Sequence, residues 1–166
     1  MNKTIVILVA CISLLAMVLD TAEARRRAGF SARGLPRGAK ANAPVLTLEE
    51  LRLCVVRERI INNQSEELET SKLEMDAKNK DVEILGNEIE ELEPQVDTSS
   101  EESVNEFNAL IERHAAMVED FNSRLPPFNA QVEQLNSKVD RFNTTCGERL
   151  YYEDDMTIVR RQIAGS

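Results

Sequence analysis

His114 is the only histidine in the chain. A Ser-His-Asp triad or a Cys-His pair would have to rest on that one imidazole, and a multi-histidine metal site is excluded. Tryptophan is absent, aromatics make up 4% of the residues, and the six glycines form no phosphate-cradling loop. The run Glu153-Asp154-Asp155 can hold a cation only loosely, because it lacks the alternating ligands and glycine of an EF-hand loop. These gaps leave no pattern for catalysis, a cofactor or a metal, and the sequence reads as a non-enzymatic protein. Long apolar runs are missing after Val18, so no membrane span is expected in the body of the chain.

What the sequence does have is a seven-residue repeat. From Val104 to Cys146 one column reads Val104, Ile111, Val118, Leu125, Val132, Val139, Cys146. The column three residues on reads Phe107, His114, Phe121, Phe128, Leu135, Phe142, Arg149, with asparagine after it at Asn108, Asn122, Asn129, Asn136 and Asn143. Apolar residues at the a and d positions of a heptad predict a long helix with a narrow seam, and a partner helix that buries it. An earlier stretch supplies the partner. Thr47-Leu48-Glu49-Glu50 is a capping box, and Leu46 before it can staple onto Leu51. Behind them runs the column Cys54, Ile61, Leu68, Met75, Val82, Ile89, Val96. Its companion column is poor: Leu51, Glu58, Ser65, Lys72, Asn79, Gly86 on one assignment, or Arg57, Gln64, Ser71, Lys78, Leu85, Leu92 on the other.

Pro94 cannot continue the first helix, and Asp97-Thr98-Ser99-Ser100 groups turn and cap residues. The connection is therefore placed at about 94–100, with Ser99 and Glu102, or Thr98 and Glu101, as the second capping box. A short connection makes the two helices antiparallel neighbours. The register that closes the hairpin about Ser100 pairs Val96 with Val104, continues heptad by heptad to Ile61 with Val139, and sets Cys54 opposite Cys146. Facing core positions can meet the alpha-carbon spacing that a disulfide needs. The expected fold is all-α: a long antiparallel two-helix coiled-coil hairpin over 47–147 closed by a Cys54–Cys146 disulfide. A short third helix is placed from about Glu153 to Gln162 in the C-terminal segment, 148–166. A bond between copies is the other arrangement open to the same two cysteines.

Lys3, the apolar stretch Thr4 to Val18 and Ala22-Glu23-Ala24 follow the order of a secretory signal peptide, 1–24, cleaved after Ala24. The apolar run of about 15 residues falls short of the roughly 20 that span a bilayer, which disfavours a retained anchor. A lipobox at Cys11 would leave too short a core before it and apolar sequence after it. Export to the periplasm or beyond removes Cys11 and leaves two cysteines in an oxidising compartment. Residues 25–46 then hold six bases (Arg25, Arg26, Arg27, Arg33, Arg37, Lys40) and no acid, against 13 basic and 27 acidic residues in 47–166. With Gly29, Gly34, Gly38, Pro36 and Pro44 and no apolar period, 25–46 reads as a disordered basic linker. Such an arm can touch anionic surfaces, but it has neither the aromatic interleaving nor the fold of a nucleic-acid binder.

Two features sit badly in a lone hairpin. The register places Phe107, Phe121, Phe128 and Phe142 opposite Glu93, Asn79, Lys72 and Glu58, whose stems can cover the rings but whose heads need water. A local shift over Leu85, Leu92 and the stems of Lys78 and Arg57 would bury them, as would a second copy completing a four-helix arrangement. Phe107, Phe121, Phe128 and Phe142, with Tyr151 and Tyr152 beyond the hairpin, therefore form the candidate contact stripe for a protein partner or for self-association. Packing against the hairpin base is the other reading of the two tyrosines. Pro126 and Pro127, at outward positions, predict a kink or brief break near 124–127 with the helix resuming in register. Gly147 can stop the helix. The sequons at Asn63 and Asn143 would count only in a eukaryotic secretory pathway.

The Phe-Asn heptads running into Cys146, followed by Tyr151-Tyr152-Glu153-Asp154-Asp155 and Val159-Arg160, resemble a group of small exported proteobacterial proteins. In that group Tyr-Asn or Phe-Asn heptads end in a cysteine and a tyrosine-rich acidic segment, and the similarity covers roughly Leu46 to Arg161. The group has no assigned activity, so the resemblance implies a bacterial envelope location and no mechanism. Two functional classes fit. One is a structural or adaptor rod of about 45 residues per arm, roughly 70 Å long, bridging envelope components. The other is a periplasmic holdase-like chaperone in which several hairpins surround a client with exposed apolar faces, a reading that the acidic, polar tip from Glu93 to Glu106 favours less.

Overall fold

The structure, a computed structural model, describes residues 27–32 and 34–165. The signal peptide expected at 1–24 and its Cys11 lie outside them. Three helices follow one another: α1, Leu48–Leu92, α2, Glu101–Phe142, and α3, Glu153–Ala164. A 3-10 turn, Glu93–Gln95, follows α1, and one π turn, Asn143–Gly147, follows α2. α1 packs against α2 as an antiparallel hairpin and also carries α3. Among the described residues no helix is long and apolar enough to cross a membrane.

α1 starts where its capping box dictates. Thr47 Oγ1 accepts the Glu50 amide at 3.3 Å while the Thr47 amide donates to Glu50 Oε2 at 2.8 Å. Leu46 and Leu51, on either side of the cap, are 4% and 0% exposed and belong to one core. α2 starts one residue later than the Ser99 box and two later than the Thr98 box. Its N-cap is Ser100, whose side chain accepts from the Ser103 amide at 3.3 Å. The cause is Asp97, whose carboxylate takes both the Ser99 amide at 2.9 Å and the Ser99 hydroxyl at 2.6 Å, so Ser99 is spent within the turn.

The hairpin register is the expected one. Cys54 and Cys146 are joined by a disulfide with their alpha carbons 5.6 Å apart. Toward the tip, Gly86 faces His114 so closely that a Cβ on it would lie 3.2 Å from His114 Nε2. Between those points Lys78 Nζ reaches Asp120 Oδ2 at 2.9 Å and Lys138 Nζ donates to Gln64 Oε1 at 2.9 Å, tying the two arms across their flanks.

In this register Phe121, Phe128 and Phe142 are 2%, 4% and 2% exposed, so these three belong to the hairpin's own core and are not a partner stripe. The weak column of α1 makes room for them. Opposite Phe121 stands the short Asn79, and opposite Phe128 and Phe142 the half-buried Lys72 and Glu58, whose stems can cover a ring. Burying the rings takes neither a register shift nor a second copy. Only Phe107, near the tip, stays half-exposed. Pro126 and Pro127 lie inside α2 without a break in the helix, both exposed, where water can take the carbonyls they leave unpaired.

Candidate functional site

The end of the hairpin away from the turn is the most elaborately built part of the molecule. Its described arm residues are not a loose linker. The Ser31 and Ala32 amides donate to the Gly147 carbonyl at 2.9 and 3.2 Å, and Ser31 Oγ donates to the same oxygen at 3.0 Å. The Leu35 amide donates to the Tyr151 carbonyl at 2.7 Å, Glu153 N–H returns a bond to the Leu35 carbonyl at 3.1 Å, and the Leu46 amide donates to the Leu150 carbonyl at 2.8 Å. Leu35 with Tyr152, and Val45 with Leu150, form single parallel bridges. Asn62 Nδ2 holds the Ala28 carbonyl at 3.3 Å from α1. The arm lacks apolar period because it docks by backbone amides and a few side chains, chiefly Ala28, Phe30 and Leu46.

Phe30 stands edge-on to both Phe142 and Tyr151, with ring centroids 5.6 and 5.3 Å away. Two glycines permit the approach. A Cβ on Gly147 would lie 2.9 Å from the Gly29 carbonyl oxygen, and one on Gly34 would lie 2.5 Å from Glu153 Cγ. Gly147 does end the helical stretch, but by close approach: among the described residues Gly38 is the glycine with a positive φ.

α3 completes this end. Met156 and Val159 are buried against the core, and Glu153, Asp154 and Asp155 sit in the first turn, where the helix dipole favours anions. Arg37 of the arm lies 4.0 Å from Asp155. Tyr151 and Tyr152 are half-buried, the first packed against the core in the aromatic cluster and the second at the N-cap position of α3. Of the six aromatic contact candidates, the structure gathers Phe142, Tyr151 and Tyr152 beside the Cys54–Cys146 bond and strings Phe107, Phe121 and Phe128 toward the tip.

Burial pushes the Glu58 carboxyl above the usual carboxylate range, with the Arg160 charge opposing. Further along, hydrogen bonds from Lys78 and then Arg124 hold the Asp120 carboxyl below it. Among the described residues no group of three or more His, Cys, Asp or Glu is placed to hold a metal ion.

Arg57, Ile60, Ile61, Lys138, Arg141 and Phe142 line a shallow groove between α1 and α2. Its volume of about 200 Å³ is below the roughly 300 to 1,000 Å³ of sites that enclose a small molecule. Leu53, Val56 and Ile60 continue the apolar surface along α1, at 49%, 37% and 50% exposure. The sequence contained a signal for this face in the three-and-four spacing of Leu53, Val56 and Ile60 among Arg52, Arg57 and Arg59, which the stronger core heptad masks. Compared with protein-family models, with curated proteins and with solved structures, the chain matches none.

Proposed function

We propose that the chain is a non-enzymatic exported coiled-coil protein with a structural or adaptor role in the bacterial envelope. The observation that carries this reading is the rod itself. Helices of 45 and 42 residues pair along their length and are closed by a buried disulfide at one end. At about 1.5 Å per residue such a rod is roughly 65 Å long. It holds one end, with the arm and α3 folded on it, at a fixed distance from a polar, acidic tip. A buried disulfide of this kind persists in an oxidising compartment. The holdase alternative, several hairpins surrounding a client with exposed apolar faces, is less supported: the tip is acidic and polar, and Phe121, Phe128 and Phe142 are buried.

The test is intact-mass spectrometry of the chain recovered from fractionated cells. The expected result is a periplasmic or secreted species that begins after Ala24 and carries one disulfide. Recovery in the cytoplasm with free thiols would overturn the reading. Suppression of the aggregation of an unfolded client would move the assignment to the chaperone class.

A further inference from the structure

α1 carries a second apolar stripe, opposite the seam it packs against α2. Leu53, Val56, Leu73 and Ile84 are 49%, 37%, 66% and 54% exposed. Each lies two positions from a buried core residue (Leu51, Cys54, Met75 and Val82), and two positions at about 100° each is roughly the far side of a helix. Charge on α1 is polarised along the same stripe. Around Leu53 and Val56 the exposed bases are Arg52, Arg57 and Arg59, with Glu58 half-buried and the exposed acids Glu49 and Glu50 one turn before them. From Asp81 to Glu93, around Ile84, there are six exposed acids and no base. Arg57 and Glu88 are separated by about 45 Å of helix, several times the roughly 8 Å screening length at physiological salt. The two ends therefore cannot neutralise each other within one chain.

We propose that two copies of this chain pair antiparallel through the outer face of α1. Val56 and Ile84 are four heptads apart and so share a face. Sliding two copies until Val56 of one lies beside Ile84 of the other sets residues 52–59 of each along 81–88 of its neighbour. The arginine-rich segment of each copy then meets the acidic segment of the other, twice, about one two-fold axis near Thr70, and the contact closes on itself. A parallel pairing would set like charges together. An end-to-tip contact would leave an open chain of molecules and would not cover Leu73, the most exposed large apolar residue, which lies near the middle of the rod. Glu66 faces Glu74 near the axis, and Glu49 and Glu50 face Glu91 and Glu90 at the ends, so the dimer is a weak one in exchange with monomer.

The experiment is sedimentation equilibrium of the full, disulfide-closed chain over a concentration series, with two charge-reversal variants. Arg52→Glu with Arg59→Glu, and Asp81→Lys with Glu88→Lys, each alter exposed side chains. Each variant alone should self-associate at least about tenfold more weakly, because like charges then face each other at both ends. An equimolar mixture of the two should recover dimers, since every contact regains opposite charges. Leu73→Ser, which changes no charge, should also weaken the dimer. A wild-type chain that stays monomeric at millimolar concentration would overturn the proposal. So would an open-ended series of masses, or a mixture that fails to dimerise.

Discussion

Phe30, from the basic arm, meets Phe142, the last residue of α2, edge to face at 5.6 Å, and the same ring meets Tyr151 at 5.3 Å. Edge-to-face pairs contribute about 0.5–1.5 kcal/mol each beyond their area burial, and they hold a segment otherwise tied by backbone hydrogen bonds and a few side chains such as Ala28 and Leu46. Phe30→Ala should therefore release the arm while leaving the hairpin folded. Hydrogen exchange of the Ser31, Leu35 and Leu46 amides should accelerate, and trypsin should cut faster at Arg37 and Lys40. Unchanged protection of those amides would mean the backbone bonds suffice without the ring.

Gly147 tests the same docking from the other side. A methyl group there would meet the Gly29 carbonyl oxygen at 2.9 Å and the Phe142 ring at 3.4 Å. Overpacking of this kind costs about 1–3 kcal/mol. Gly147→Ala should expose the arm to protease much as Phe30→Ala does, with little change in total helix content by circular dichroism. A loss of helix across the hairpin would show instead that Gly147 sets the end of α2.

Phe128 separates a core role from a partner-contact role. At 4% exposure its truncation to alanine should cost about 3–5 kcal/mol, read as a shift in the denaturant midpoint at unchanged slope. Phe107→Ala, near the tip and half-exposed, should cost clearly less. Equal and small effects at both positions would return the phenylalanines to the surface.

Much of this architecture was legible because the hairpin repeats itself. The Cys54-to-Val96 column, the Thr47 capping box and the facing cysteines are strong local signals, and they placed α1, its start and its register. The covering of Phe121 and Phe128 was not legible, because counting apolar residues scores Asn79 and Lys72 as a failed column when a short side chain and a half-buried one are what face the rings. The arm was missed for a different reason. Its main ties, such as Leu35 to Tyr151 and Leu46 to Leu150, are backbone bonds that leave no trace in side-chain pattern, and its glycines serve close approach as much as flexibility. The cap at Ser100 turned on Asp97 capturing Ser99, a choice among adjacent serines that spacing rules do not decide.

The Cys54–Cys146 bond closes a loop across 92 positions. On chain-entropy grounds a loop of that size stabilises by roughly 4 to 5 kcal/mol at most. Because the bond joins the arms next to the Phe30 cluster, reduction should loosen the arm and α3 before the tip. The check is thermal unfolding with and without a phosphine reductant, together with residue-resolved hydrogen exchange. The expected outcome is a lower midpoint, with the largest loss of protection at Leu46, Cys54 and Val159. A uniform loss along the hairpin would show that the bond acts on overall stability alone.

Acid should act in opposite directions on two carboxylates of the hairpin. Asp120 is held below its ordinary value of 3.8 by hydrogen bonds from Lys78 and Arg124. The stability it contributes is present above 3.8 and is lost as pH falls through the lower folded value. Glu58 is pushed above its ordinary value of 4.5 by burial, so the folded chain binds that proton more tightly than the unfolded one does. Its contribution is fully present below 4.5 and is lost as pH rises through the raised folded value. Glu58→Gln, which removes the buried charge and keeps the shape, should raise the unfolding midpoint at pH 7 and leave it nearly unchanged at pH 4. Asp120→Asn should lower the midpoint modestly at pH 7, less so in high salt because the group is exposed, with the effect shrinking as pH falls below 3.8. Thermal unfolding of the two variants across pH 2 to 7 decides both signs; a Glu58→Gln variant less stable than wild type at pH 7 would show that the attraction of Arg160 outweighs the burial.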